Sequence, residues 1–91
     1  MRLISQDGTY DFPYEHVIVY RNETSVVCGI MPDIREKILL GKYSTKAKAI
    51  KAMEMLREEY LQYCTARSSE YWFAFNNPKV FKFPKDEDVE V

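Results

Sequence analysis

Ninety-one residues, 46% of them apolar and 14% aromatic, suffice for one packed domain and leave no room for a second core. A net charge of −1 excludes the strongly basic footprint of a dedicated nucleic-acid binder. No run approaches the roughly 20 apolar residues that span a bilayer.

Asp7-Gly8 stands between Leu3-Ile4 and the Tyr10–Phe12 run. Asp-Gly favours the φ > 0 backbone of turns between twisted antiparallel strands, so the chain is expected to open with a hairpin. Pro13 interrupts the ladder or marks a sheet edge. His16–Tyr20 and Ser25–Ile30 read as antiparallel strands around a polar Arg21–Thr24 turn, and Met31-Pro32-Asp33 ends the pair. A further strand runs from Lys37 to Tyr43, weakened inside by Gly41.

Ser44 and Thr45 each offer a hydroxyl that can cap a helix. From Lys46 the apolar period changes from two to about 3.6. Ala49, Met53, Leu56 and Tyr60 fall on one stripe, flanked by Ile50, Ala52, Leu61 and Cys64. Thr65–Ser69 reads as a polar connector. Tyr71–Phe75 is rich in β-favouring aromatics and Asn76-Asn77-Pro78 is a turn signal. Val80–Phe83 alternates apolar and basic residues until Pro84 stops it.

This order predicts an α+β fold. An antiparallel, strongly curved sheet of about five to seven short strands carries one amphipathic helix over about 45–63, inserted late before a final hairpin. Residues 1–84 form the single domain, and 85–91 form a frayed acidic tail containing Asp86, Glu87, Asp88 and Glu90. Without that tail the body holds twelve bases against ten acids, a net of +2. One helix cannot cover both faces of such a sheet, so the second face curls on itself, stays exposed or meets a partner.

The charge order of the helix opposes its dipole, with lysines first and Glu54, Glu58 and Glu59 later. Lys42, Thr45, Lys46, Lys48 and Lys51 form a candidate anion site, where free N–H groups and ammonium groups would take a phosphate, a nucleotide or nucleic-acid backbone. The acidic tail could occupy the same patch, within one chain or across a dimer. The plainer explanation is a lysine face that keeps the helix soluble, since no glycine-rich loop accompanies it.

Strand alternation places Tyr71, Phe73 and Phe75 on one face, with Trp72 and Ala74 on the other. Stacking platforms for single strands combine such aromatics with bases like Lys79 and Lys82, but core packing is the commoner use. Trp72, with Tyr71 beside it, is the candidate anchor for a protein contact. His16, Cys28 and Cys64 match no metal-ligand spacing, and both cysteines sit in apolar patterns that suggest buried, inert thiols. Asp7/Asp11 and Glu58/Glu59 are carboxylate pairs without a supporting motif. No nucleophile elbow, P-loop or dinucleotide fingerprint is present, so no catalytic residue, metal or cofactor is expected.

Arg2 precedes only two apolar residues before Ser5 turns polar, so no export signal is expected. A cytoplasmic protein with reduced cysteines follows from that expectation.

Three segments together resemble the small prophage-type proteins of Firmicutes. They are the opening Met1–Glu15, the Lys42-Tyr-Ser-Thr-Lys46 lead into a helix continuing Lys51-Ala-Met-Glu-Met-Leu-Arg-Glu58, and the end Val80-Phe-Lys-Phe-Pro84 with its acidic residues. The resemblance implies a bacterial or phage cytoplasm and an accessory role, and supplies no functional residue. The expectation is therefore a small non-enzymatic binding protein acting through protein contact, with self-association as a homodimer the first form. The second reading is an anion, nucleotide or nucleic-acid binder at the lysine-rich helix start.

Overall fold

The computed structural model describes residues 1–30, 37–69 and 80–91, the helical residues 65–69 by backbone alone. Within them the fold is α+β, with one helix and two open sheets of three strands each. In the first sheet, β1 (Arg2–Ile4) lies between β2 (Asp11–Pro13) and β6 (Val80–Lys82). In the second, β4 (Ser25–Ile30) lies between β3 (Val17–Asn22) and β5 (Ile38–Lys42). One-turn 3₁₀ helices follow β2 (Tyr14–His16) and precede Val89 (Asp86–Asp88).

The opening hairpin forms as its turn residues predict, with Ile4 opposite Asp11 and Leu3 opposite Phe12. Gly8 sits at φ 79°, where a side chain would be strained. The loop is wider than a two-residue turn: Gly8 N–H donates to the Ser5 carbonyl at 3.0 Å. The Asp7 carboxylate accepts from the Thr9 N–H at 2.9 Å and the Ser5 hydroxyl at 2.8 Å. The Thr9 bond is the main reason its pKa falls below the ordinary value. Buried Ser5 is satisfied, because its oxygen also accepts the Tyr10 N–H at 3.0 Å. Pro13 lies on edge strand β2, where no ladder donor is required.

β3 and β4 pair from Val17↔Ile30 to Asn22↔Ser25 around a two-residue turn, Glu23-Thr24. Glu23 stands at φ 56°, a left-handed backbone that costs a non-glycine residue about 1–2 kcal/mol. Replacing Glu23 with glycine is expected to raise stability by about 0.5–1 kcal/mol, net of glycine's greater freedom when unfolded. Urea unfolding checks this: an unchanged or lowered midpoint would show that the turn carries no such strain.

A bulge interrupts β4–β5: Val26 faces Gly41 and Val27 faces Leu39, leaving Leu40 as the extra residue. Its carbonyl accepts the Gln6 N–H at 2.6 Å. The Gln6 side chain then imitates a strand residue. Its Oε1 accepts the Lys42 N–H at 3.1 Å, and its Nε2 donates to the carbonyls of Lys42 at 3.3 Å and Pro84 at 3.0 Å. One amide thus joins the loop of the first sheet, the edge of the second and the C-terminal segment. Gly41 is closely packed: a Cβ there would stand 3.1 Å from the Tyr43 ring, so the ring would have to shift by a few tenths of an ångström.

Two features depart from the single antiparallel, curved sheet. The strands divide between two sheets, and β6 runs parallel to β1, with Arg2 opposite Val80 and Ile4 opposite Lys82. Parallel pairing needs a long crossover, here containing the helix, and no local turn signal marks it. The Tyr71–Phe75 half of the expected final hairpin lies outside the described residues.

The helix α1 spans Lys46–Ser69, six residues beyond the expected end at 63. Polarity after Cys64 suggests a connector, but the Thr-Ala-Arg-Ser-Ser run holds no glycine or proline to stop a helix. Ala49, Ala52 and Leu56 are buried, with Met53, Tyr60 and Tyr63 partly so. The small alanines let the helix approach the sheet closely. Tyr60 stacks on Tyr14 with ring centroids 4.5 Å apart.

One core joins all layers: Leu3, Phe81 and Phe83 from the first sheet side, Val26, Cys28 and Leu40 from the second, and Ala49, Ala52 and Leu56 from the helix. Val89 belongs to it at 3% exposure. The acidic end expected to fray is therefore packed as far as residue 89.

Candidate functional site

Alternation along the second sheet separates its residues into two sets. Val19, Cys28 and Ile38 are cross-strand partners on the face that meets the core. Tyr20, Val27 and Leu39 form the opposite row, with Ile18 two residues from Tyr20 on the same side. Ile18 is 42% and Leu39 49% exposed. Val27 is 6% exposed yet stands outside the core cluster, so it is shielded on the far face of the sheet. Four apolar side chains thus form a face that the helix does not cover. The sequence left open whether a second sheet face would curl on itself, stay exposed or meet a partner, and it named none of these residues.

The helix start is organised by hydrogen bonds within the chain. Thr45 Oγ1 accepts the Lys48 N–H at 3.2 Å, making Thr45 the N-cap. No acid occupies the first helical turn. Asp86 supplies one from the C-terminal segment, its Oδ1 accepting the Ser44 N–H at 2.7 Å and the Ser44 hydroxyl at 3.1 Å. Lys48 Nζ stands 3.6 Å from Asp86 Oδ2 and donates to the Asp86 carbonyl at 2.9 Å. The Ser44 N–H bond is the main cause that lowers the Asp86 pKa, aided by the Ser44 hydroxyl and the Lys48 charge.

Of the five predicted anion-site residues, Thr45 is spent on capping and Lys48 on Asp86. Lys42 and Lys46 are exposed, and Lys51 is half-buried. The tail therefore occupies part of the lysine patch within its own chain. Tyr43 locks the same corner: its hydroxyl donates to the Pro84 carbonyl at 2.8 Å, and burial first, then the Asp86 charge, raises its pKa strongly. Gln6 was not singled out by the sequence, and Asp86 entered only as one of the acidic tail residues that could occupy the lysine patch. A lone glutamine in a loop carries no local signal, whereas the acid-rich end facing a lysine-rich helix was a legible one.

Trp72 and Tyr71 lie outside the described residues. Cys28 is buried as expected, and burial raises its thiol pKa. Cys64 is exposed, correcting the expectation of a second buried thiol. The buried stripe fades beyond Leu56, and Leu61 emerges at the same end of the helix. His16 is exposed on the first 3₁₀ turn. Among the described residues no three potential ligands gather into a metal-binding cluster. Asp11 pairs with Arg2 at 2.9 Å, while Asp7 closes its loop, so the two serve separate structural bonds. No helix among the described residues is long and apolar enough to cross a membrane.

No protein-family model, curated protein or solved structure matches the chain.

Proposed function

We propose that the protein is a small non-enzymatic binding protein that works by contact with another protein, in the accessory role of a prophage or mobile element. The observation that carries this reading is the outer face of the second sheet, where Ile18, Tyr20, Val27 and Leu39 form an apolar row away from the helix. Ile18 and Leu39 are the exposed members of that row, at either side of buried Val27, and apolar surface held together in this way is a place for a partner to cover. Among the described residues β3 is an edge strand and adds six residues of backbone at the border of that face, suited to strand addition. A second copy is the first partner to test.

Lysine at positions 18 and 39 is the direct test. Both side chains already reach solvent, so Ile18→Lys and Leu39→Lys are expected to change stability by under about 1 kcal/mol. Each is expected to weaken self-association or partner capture at least about tenfold, as expected for charging a hot spot. Sedimentation of the purified chain measures the first and co-purification measures the second. Unchanged assembly and capture in the doubly substituted, folded protein would remove this face from the function.

The anion-binding reading keeps one specific support, the exposed Lys42 and Lys46 beside a helix start whose Lys48 is already engaged by Asp86.

A further inference from the structure

The β3–β4 hairpin ends against the segment that leads into the helix. Tyr43 donates its backbone N–H to the Thr24 carbonyl at 2.9 Å, tying the hairpin tip in place. Between tip and helix lies an open groove of about 230 Å³, lined by Arg21, Glu23, Thr24 and Lys46. Arg21 comes from β3 and Lys46 from the first position of α1, so only the fold brings the two cations together. Arg21 Nη1 donates to the Glu23 carbonyl at 2.9 Å, which holds the guanidinium to the turn and reduces the side-chain entropy lost on binding.

We propose that this groove binds a small phosphate-bearing ligand, with Arg21 and Lys46 holding the phosphate and the Thr24 hydroxyl adding a hydrogen bond. The inference does not depend on the protein-contact reading, and it shifts the anion site from the lysine patch to a pair of cations that no sequence spacing links. A guanidinium presents its N–H groups as a planar fork that matches phosphate oxygens, and an ammonium adds a second charge from another direction. The volume lies below the usual range of about 300–1,000 Å³ for drug-sized ligands, which fits a phosphate with a small body. Glu23 works against binding, because it lines the same groove and its negative charge reduces the pull on an anion. That opposition gives the site a signature that a diffuse lysine surface lacks.

The test is titration of inorganic phosphate, then pyrophosphate, into the isotopically labelled full chain at low salt, followed by amide chemical shifts. Saturable shifts are expected at residues 21–24 and 45–47. Arg21→Gln and Lys46→Gln are each expected to weaken binding at least about tenfold, the effect of losing one charge-assisted bond. Glu23→Gln is expected to tighten it several-fold, and Lys42→Gln, outside the groove, to leave it unchanged. Should Arg21→Gln disturb the hairpin, the exposed Lys46 and the Glu23→Gln gain decide the matter. Shifts that never saturate, that spread equally over Lys42 and Lys51, or that ignore Lys46→Gln and Glu23→Gln would overturn the proposal.

Discussion

Phe83→Ala is expected to cost about 3–5 kcal/mol, the usual range for deleting a fully buried aromatic ring. Phe83 is 1% exposed and packs edge-on against Phe81 with ring centroids 5.2 Å apart. Its backbone N–H also donates to the Ile4 carbonyl at 3.1 Å, so the ring and the parallel β1–β6 seam share one anchor. Domains of this size hold total stabilities of about 5–15 kcal/mol, and the loss would consume a large part of that margin. Urea unfolding at neutral pH measures it. A cost below about 1.5 kcal/mol would mean that the first sheet contributes little to the common core.

Deleting residues 86–91 is expected to have the next largest effect. It removes Val89 from the core, worth about 1.5–3 kcal/mol for an aliphatic side chain of this kind. It also takes the carboxylate from the Ser44 N–H and from Lys48. Hydrogen exchange should then quicken at Ser44–Lys48 and around Pro84. An unchanged melting temperature would show that the acidic end makes no energetic contribution.

Asp86→Asn separates the charge from the buried valine. The carboxylate pKa is held below its ordinary 3.8, chiefly by the Ser44 N–H. A group whose folded pKa is depressed stabilises the fold fully above its unfolded value, and loses that contribution as pH falls through the depressed one. The difference between native chain and variant should be constant near neutrality, begin to shrink near about pH 4, and disappear only once the pH lies below the depressed value. Asp7, lowered chiefly by its bond from the Thr9 N–H, titrates in the same direction in both proteins and cancels in the comparison.

How much of this molecule can be read from its sequence depends on the range of each interaction. The opening hairpin, the β3–β4 pair and the Thr45 cap rest on neighbours within a few residues, and those signals sufficed. The parallel partnership of β1 and β6 has no such local cause. Short strands such as Arg2–Ile4 and Val80–Lys82 could pair in many ways, and only the assembled core selects one.

The same holds for the candidate sites. The lysines at the helix start were visible, but not that Thr45 and Lys48 would be engaged within the chain. Arg21 looked like a turn residue until the fold set it beside Lys46. Cys64 shows the converse failure: its place on the apolar stripe was correct, while the burial expected of a stripe ended one turn too early.

The pairing of residue 2 with residue 80 also shapes how the molecule reaches its native state. The second sheet closes through hairpin and near-neighbour contacts, so its loop-closure cost is small and it can form early. The first sheet gains its third strand only when segments from opposite ends of the sequence meet, a high-contact-order event that slows folding. During synthesis, Leu3 and the helix stripe must wait for Phe81, Phe83 and Val89 to leave the ribosome. Until then the apolar side chains that await them stay exposed, and that interval is when the nascent chain is most vulnerable to proteases and to aggregation.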